Sequence, residues 1–218
     1  MRRMIAIGVG LVVVLLFGIG QLVLPGIAAS TLRDQLSKNG KVLDVEVSAF
    51  PAIELLWHQA DKVVVKMESY RSTTSHLSSL LDQAANVDTL DASAQRVDSG
   101  LLSLRNATLH KRGNTLTGSA TVTQSALRTA IPFLDSVQPV ASGDGQLTLR
   151  GTGTLLGVTA SLDATVRSQN GALVVSPDVP FGGLATITVF SDPHVAVQSV
   201  GATPGSGGFS VSARAMLR

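Results

Sequence analysis

Residues 158–175, VTASLDATVRSQNGALVV, decide the fold class. Val158, Ala160, Leu162, Ala164 and Val166 alternate with Thr159, Ser161, Asp163, Thr165 and Arg167. Successive side chains of a strand point to opposite faces, so this segment reads as a strand with one apolar and one polar face. Asn170-Gly171 follows, a strong two-residue hairpin signal, because the matching turn needs two residues that accept positive φ.

The same period recurs outward in both directions. Leu43, Val45 and Val47 alternate with Asp44, Glu46 and Ser48, and Val63, Val65 and Met67 with Val64, Lys66 and Glu68. Leu116, Gly118, Ala120 and Val122 repeat it, as do Ala185, Ile187 and Val189, and finally Phe209, Val211, Ala213, Ala215 and Leu217. Arg112-Gly113-Asn114 and Gly143-Asp144-Gly145 read as turns, and Gly201–Gly208 as a loose hairpin tip. One apolar and one solvated face per strand means antiparallel sheet. Two helices interrupt it. Leu77, Leu80, Leu81 and Ala84 follow helical spacing behind a Thr74 or Ser75 cap, and Leu127, Ala130, Ile131 and Leu134 repeat that spacing until Pro132 kinks or ends the run. The polar stretch 86–99 is the candidate linker. The expected class is α+β, mainly antiparallel β. The apolar faces are Val, Leu and Ala with 4% aromatics in the chain. They fit either a long curved sheet around an aliphatic groove or a sandwich whose faces fill one another.

The N-terminus adds a separate signal. Ile5 to Leu24 is apolar throughout except for Gln21, and twenty residues at 1.5 Å rise cover about 30 Å, the thickness of a bilayer core. Arg2 and Arg3 precede it, which places the rest of the chain on the extracytoplasmic side. Residues 1–25 are expected to be a transmembrane signal-anchor. Small residues at Gly26 and Ala28 leave cleavage after Ala28, and hence secretion, as the alternative. Residues 26–40, with Ala28, Leu32 and Leu36 on one face and Asn39-Gly40 as a stop, form an amphipathic connecting helix. Residues 41–218 form one extracytoplasmic domain.

Composition excludes several functions. There is no Cys, so thiol nucleophiles and Cys-ligated metals are out. Lys and Arg number 17 and Asp and Glu 15; without Arg2 and Arg3 the rest of the chain is formally neutral. With no basic stripe and few aromatics, a nucleic-acid partner is not expected. The four histidines, His58, His76, His110 and His194, show no metal spacing, so neither metal nor cofactor is expected. Glycines in 143–153 precede no helix and read as turn and strand glycines. No paired carboxylates or nucleophile motif point to catalysis, and no catalytic residue is assigned.

From Pro25 to about Arg71 the order is PGIAASTLRDQL, a spacer, then VEVSAFPAIELLWHQADKVVVKMES. This order resembles the LmeA-like phospholipid-binding family of bacterial, mainly actinobacterial, cell-envelope proteins. Phe50 and Pro51 match the family's turn, Leu55 and Leu56 its Leu-rich segment, and Asp61 to Val65 its second strand. Ala49 departs from a frequent Gly, and Trp57-His58-Gln59-Ala60 from a Gly-containing turn. The resemblance implies a TULIP-like fold, a curved sheet wrapped around one or two short helices with room for acyl chains. It implies phospholipid as ligand and a role outside the cytoplasmic membrane in lipid or lipoglycan assembly; the cytoplasmic membrane is a further expected partner through the N-terminal helix, and an envelope glycosyltransferase is a candidate one. On that basis the groove wall is expected at Val45, Val47, Val63, Val65, Leu80, Leu81, Leu127, Ile131, Leu162 and Val166. The mouth is expected at the Phe50-Pro51 turn with Leu55, Leu56 and Trp57, and with His58, Lys62 and Arg71 as headgroup candidates. The alternative is an anchored, non-catalytic module with a filled sandwich core that scaffolds an envelope enzyme.

Overall fold

Each alternating strand has one face to bury, and the chain meets that demand with two sheets. The computed structural model describes residue 21 and residues 23–57, 59–72, 84–99, 102–130, 134–155, 157–178 and 186–218. Helix α1 covers residues 23–37. Five strands follow: β1 (Gly40–Ser48), β2 (Ala60–Ser72), β3 (Val87–Ser99), β4 (Leu102–Arg112) and β5 (Thr115–Thr123). Helix α2 (Gln124–Ala130) leads into β6 (Leu134–Gly143), β7 (Gln146–Leu155), β8 (Val158–Gln169), β9 (Ala172–Pro177) and β10 (Ile187–Phe190). The chain ends with β11 (Val195–Gly205) and β12 (Gly208–Leu217). One sheet has the order β1-β2-β3-β4-β5-β12-β11 and the other β10-β9-β8-β7-β6. Only β2 and β3 pair in parallel among these neighbours.

Where the resemblance implies one long curved sheet, the strands form two sheets. The chain leaves the first sheet through α2 and returns for β11 and β12, so that the last strand lies against β5. α2 also stops at Ala130, and Leu134 opens β6 instead of extending the helix. Pro132 has no N–H to donate and disfavours helical backbone at the residue before it. The expected helix around Leu77, Leu80 and Leu81 lies outside the described residues, as do Ile131 and residues 1–20; Ala84, at its end, is buried. Among the described residues no helix is long and apolar enough to cross a membrane.

Two more expectations change. Residues 86–99 are no linker: β3 pairs with β2 on one side and β4 on the other, at the interior of the sheet. Its inward residues include Ala92 and Ala94, too small to stand out from the Asp, Thr and Ser around them. The Gly-rich stretch 201–208 is mostly strand, with only residues 206–207 turning. Pro204 is tolerated because β11 is an edge strand.

The two sheets meet at β11. Its edge N–H groups do not face solvent alone: Val197 N–H donates to Gly171 O at 2.8 Å and Val200 N–H to Gly145 O at 3.0 Å. Both acceptors sit in hairpin turns whose central residues, Asp144-Gly145 and Asn170-Gly171, have positive φ. A side chain at Gly171 would also press on Ala196 at 3.3 Å, so this contact requires glycine. Above these turns the faces share a core of Val122, Phe209, Val200 and Ala202 from the first sheet with Val137, Leu147 and Val166 from the second. At the far end of the first sheet α1 packs Leu32 and Leu36 against β1–β3, and the Arg33 guanidinium donates to Leu43 O at 2.8 Å.

Candidate functional site

The inward face of the seven-stranded sheet carries one row that is apolar from edge to edge. This cross-strand row runs Val45–Val65–Ala92–Leu109–Gly118–Ala213–Val200, one residue from each strand. At a strand spacing of about 4.8 Å the row is about 29 Å wide. Val65 lies buried in the α1 cluster and Val200 in the core shared with the second sheet. Between them Ala92, Leu109, Gly118 and Ala213 are half-buried, and so are Ala94 and Ala107 beside them. The row thus joins two packed clusters through Ala92, Gly118 and Ala213, small side chains with Leu109 among them.

The next row contains a charge. Val63, Leu90, Lys111 and Leu116 are in register, and Lys111 is only 2% exposed. Its ammonium donates to Val87 O. Burial lowers its pKa from the ordinary lysine value, against the opposing pull of Asp88. The opposite face carries polar cross-strand pairs. His110 Nδ1 lies 2.8 Å from Asp91 and the Arg112 guanidinium 3.0 Å from it; first His110 and then Arg112 hold the Asp91 carboxyl below its usual range. On the five-stranded sheet Arg150 grips Asp163 with two 2.7 Å hydrogen bonds and lowers its pKa. Among the described residues no three His, Asp or Glu side chains are placed to hold a metal ion.

The expected wall residues separate into two groups. Val45, Val47, Val63 and Val65 meet in one cluster with Leu36. Leu127 and Val166 belong to the core between the sheets. Leu162 stands apart from both clusters and is 46% exposed. β8 meets β11 at its C-terminal end, and the partners of its N-terminal half, Gly151 and Gly153, offer no side chain to pack against. Leu80, Leu81 and Ile131 lie outside the described residues. At the family turn, Phe50 is 76% exposed and its N–H donates to Asp61 at 2.7 Å, while Pro51 and Leu55 are half-buried. Leu56 and Trp57 belong to the 3₁₀ turn Ala52–Trp57, but their side chains, like His58, lie outside the description. Lys62 and Arg71 are exposed. Lys111 was missed by the sequence reading, although it shares parity with Leu109 and is the charge in an inward set.

A register shift explains how the apolar face continues past the middle of β4. Between Arg105 and Thr108 the pairing with β5 slips by one, at Asn106 with φ of 49°. Inward residues change parity across this crease: Leu109 on one side and Leu104 on the other in β4, Ala94 and Val97 in β3, Met67 and Tyr70 in β2. Such bulges bend strands and increase local twist.

No curated protein matches the chain. Among solved structures, a STAR-related lipid transfer protein from Xanthomonas axonopodis aligns with 53% of this chain and 74% of its own, at 11% identity and a TM-score of 0.20, too low a score to bear on the fold. The family model described as LmeA-like phospholipid-binding matches residues 15–207, from within the N-terminal apolar run through the β11–β12 turn. The chain belongs to the LmeA-like phospholipid-binding family.

Proposed function

We propose that this protein is a non-catalytic, membrane-anchored extracytoplasmic protein that holds phospholipid acyl chains along the middle of its seven-stranded sheet and serves envelope lipid or lipoglycan assembly. The supporting observation is the row Val45 to Val200, apolar across seven strands and only half-buried where its side chains are smallest. Family membership supplies the ligand class. The anchor rests on the apolar run Ile5–Leu24 behind Arg2 and Arg3. A TULIP-like wrapping of helix by sheet belongs to the same proposal. Chains moving from bilayer to protein exchange one hydrocarbon environment for another, so the net gain is small even though each CH₂ is worth about 0.8 kcal/mol against water. Exchange, with selectivity set by the headgroup, is the activity this arrangement suits. Native mass spectrometry of the full chain released from neutral detergent tests it. Phospholipid retained at near-unit stoichiometry is expected; a chain that holds none and takes up none contradicts the reading.

A second reading rests on β10. It forms the edge of the five-stranded sheet, with Ile187 66% and Val189 61% exposed, and an apolar open edge invites another strand. In this reading the edge docks an envelope glycosyltransferase. Co-purification with such an enzyme, lost in Ile187→Lys while lipid content is unchanged, is its expected result.

A further inference from the structure

Across β3 and β4, Arg96 sits directly opposite Arg105. Like charges in directly opposed positions repel. Elsewhere on these sheets the cross-strand pairs are complementary: Asp44 with Lys66, Asp91 with His110, Arg150 with Asp163. Arg96 and Arg105 form no ion pair among the described residues, and Asp98, two residues along and opposite Ser103, joins neither of them. Both arginines are exposed.

The two guanidiniums line one concavity of about 180 Å³ with Ser103, Thr123, Ser125 and Thr129. It lies just past the crease at Asn106, where the register shift sets Arg105 beside Thr121 of β5. Thr123 is already engaged, since its hydroxyl accepts the Ala126 N–H at 3.2 Å and meets Ser125 Oγ at 3.0 Å. Thr129 donates back to Ser125 O at 3.0 Å. α2 is thereby fixed as one wall, and the guanidiniums supply the charge. One residue along from Arg105, and one from Ala126 of the same wall, Leu104 and Leu127 pack against the core between the sheets. Successive strand residues point to opposite faces, so Leu104 turns inward and Arg105 outward, and the concavity lies on the outer face of the sheet, where β4 begins and β5 ends.

We propose that Arg96 and Arg105 bind a phosphate group. Planar guanidinium forks match phosphate oxygens two at a time, and an anion between them converts a repulsive pair into a doubly bridged one. This rests on the phospholipid-binding reading in that the phosphate is taken to belong to a lipid headgroup; free phosphate has the same chemistry and is separated by experiment.

The test uses the full chain in neutral detergent with three probes: dioleoylphosphatidylglycerol, dioleoylglycerol with the same chains and no phosphate, and inorganic phosphate alone. Native mass spectrometry reads lipid uptake, and thermal unfolding reads inorganic phosphate. Wild type is expected to prefer the phospholipid to dioleoylglycerol by about tenfold, equivalent to about 1.4 kcal/mol. Arg96→Gln/Arg105→Gln is expected to level that preference without changing dioleoylglycerol uptake, and the double Lys variant to restore part of it. If only inorganic phosphate stabilises wild type, and the Gln variant abolishes this, the phosphate site stands with free phosphate as its ligand. A Gln variant that keeps both the lipid preference and the phosphate response overturns the proposal. Wild type that takes up neither lipid defeats the phospholipid reading instead, while the inorganic phosphate arm still reports on the arginines. Without any phosphate, the single variant Arg105→Gln is expected to unfold no earlier than wild type, because it relieves the repulsion. Earlier unfolding in that buffer contradicts the proposal, since it would mean that Arg105 is held by the protein itself.

Discussion

The two ends of one sheet face differ in what fills them. Around β11 and β12, large side chains interlock: Phe209, Val122 and Leu147 are buried in a core closed by the second sheet. In the middle of the same face, Ala92, Gly118 and Ala213 leave the surface shallow and half-buried. Packing density therefore follows side-chain size along a continuous row, and the sparse stretch is where the fold has apolar surface left to offer a ligand. Breaking each region separately sharpens the contrast.

The largest effect is expected in the filled end. Leu147→Ala should cost about 2–5 kcal/mol, read by denaturant unfolding, because the lost contacts leave a cavity between two sheets. Next comes one substitution made at both places. Ala202→Phe enters the closed core and should cost about 1–3 kcal/mol by overpacking. Ala92→Phe enters the half-buried middle; it should leave the unfolding midpoint nearly unchanged and remove bound lipid. Equal losses of stability at both positions would erase the distinction between core and trough.

A smaller effect belongs to Lys111. Burial disfavours its ammonium, so the unfolded chain holds that proton more tightly than the folded one. Stability relative to Lys111→Met should therefore rise with pH from the lowered folded value up to the ordinary 10.5. A pH series of unfolding midpoints for the two proteins reads the slope; parallel profiles would mean that the ammonium is not disfavoured. The smallest effect is expected on the solvent face. Arg150 holds the Asp163 carboxyl below 3.8, so the pair stabilises above that pH and its contribution fades as pH falls through the lowered folded value. Asp163→Asn should differ from wild type only above that range, and slightly, because the pair is exposed.

The strands were legible wherever apolar side chains were large enough to mark alternation, as in β8 and β12. β3 was not, because Ala92 and Ala94 do not stand out from the Ser and Asp around them. The hairpin turns followed from local chemistry, but the division into two sheets depends on which strands pair at long range, which no local pattern encodes. Leu162 carried the right period and still lies exposed, since period two assigns a face and cannot say how far along a strand that face is covered. The Arg96–Arg105 pair was invisible for a related reason: its position follows from the β3–β4 register and the crease at Asn106, neither of which is written in the spacing of the residues themselves.

The most direct test of the central claim places a photoreactive group in the acyl chain of phosphatidylglycerol, loads the full chain in neutral detergent, and maps the crosslinks by peptide mass spectrometry. Crosslinks are expected on the inward middle of β3, β4, β5 and β12, at and beside Ala92, Leu109, Gly118 and Ala213, and are expected to be lost in Ala92→Phe. Crosslinks confined to the β10 edge, or unaffected by filling the middle of the sheet, would contradict that claim.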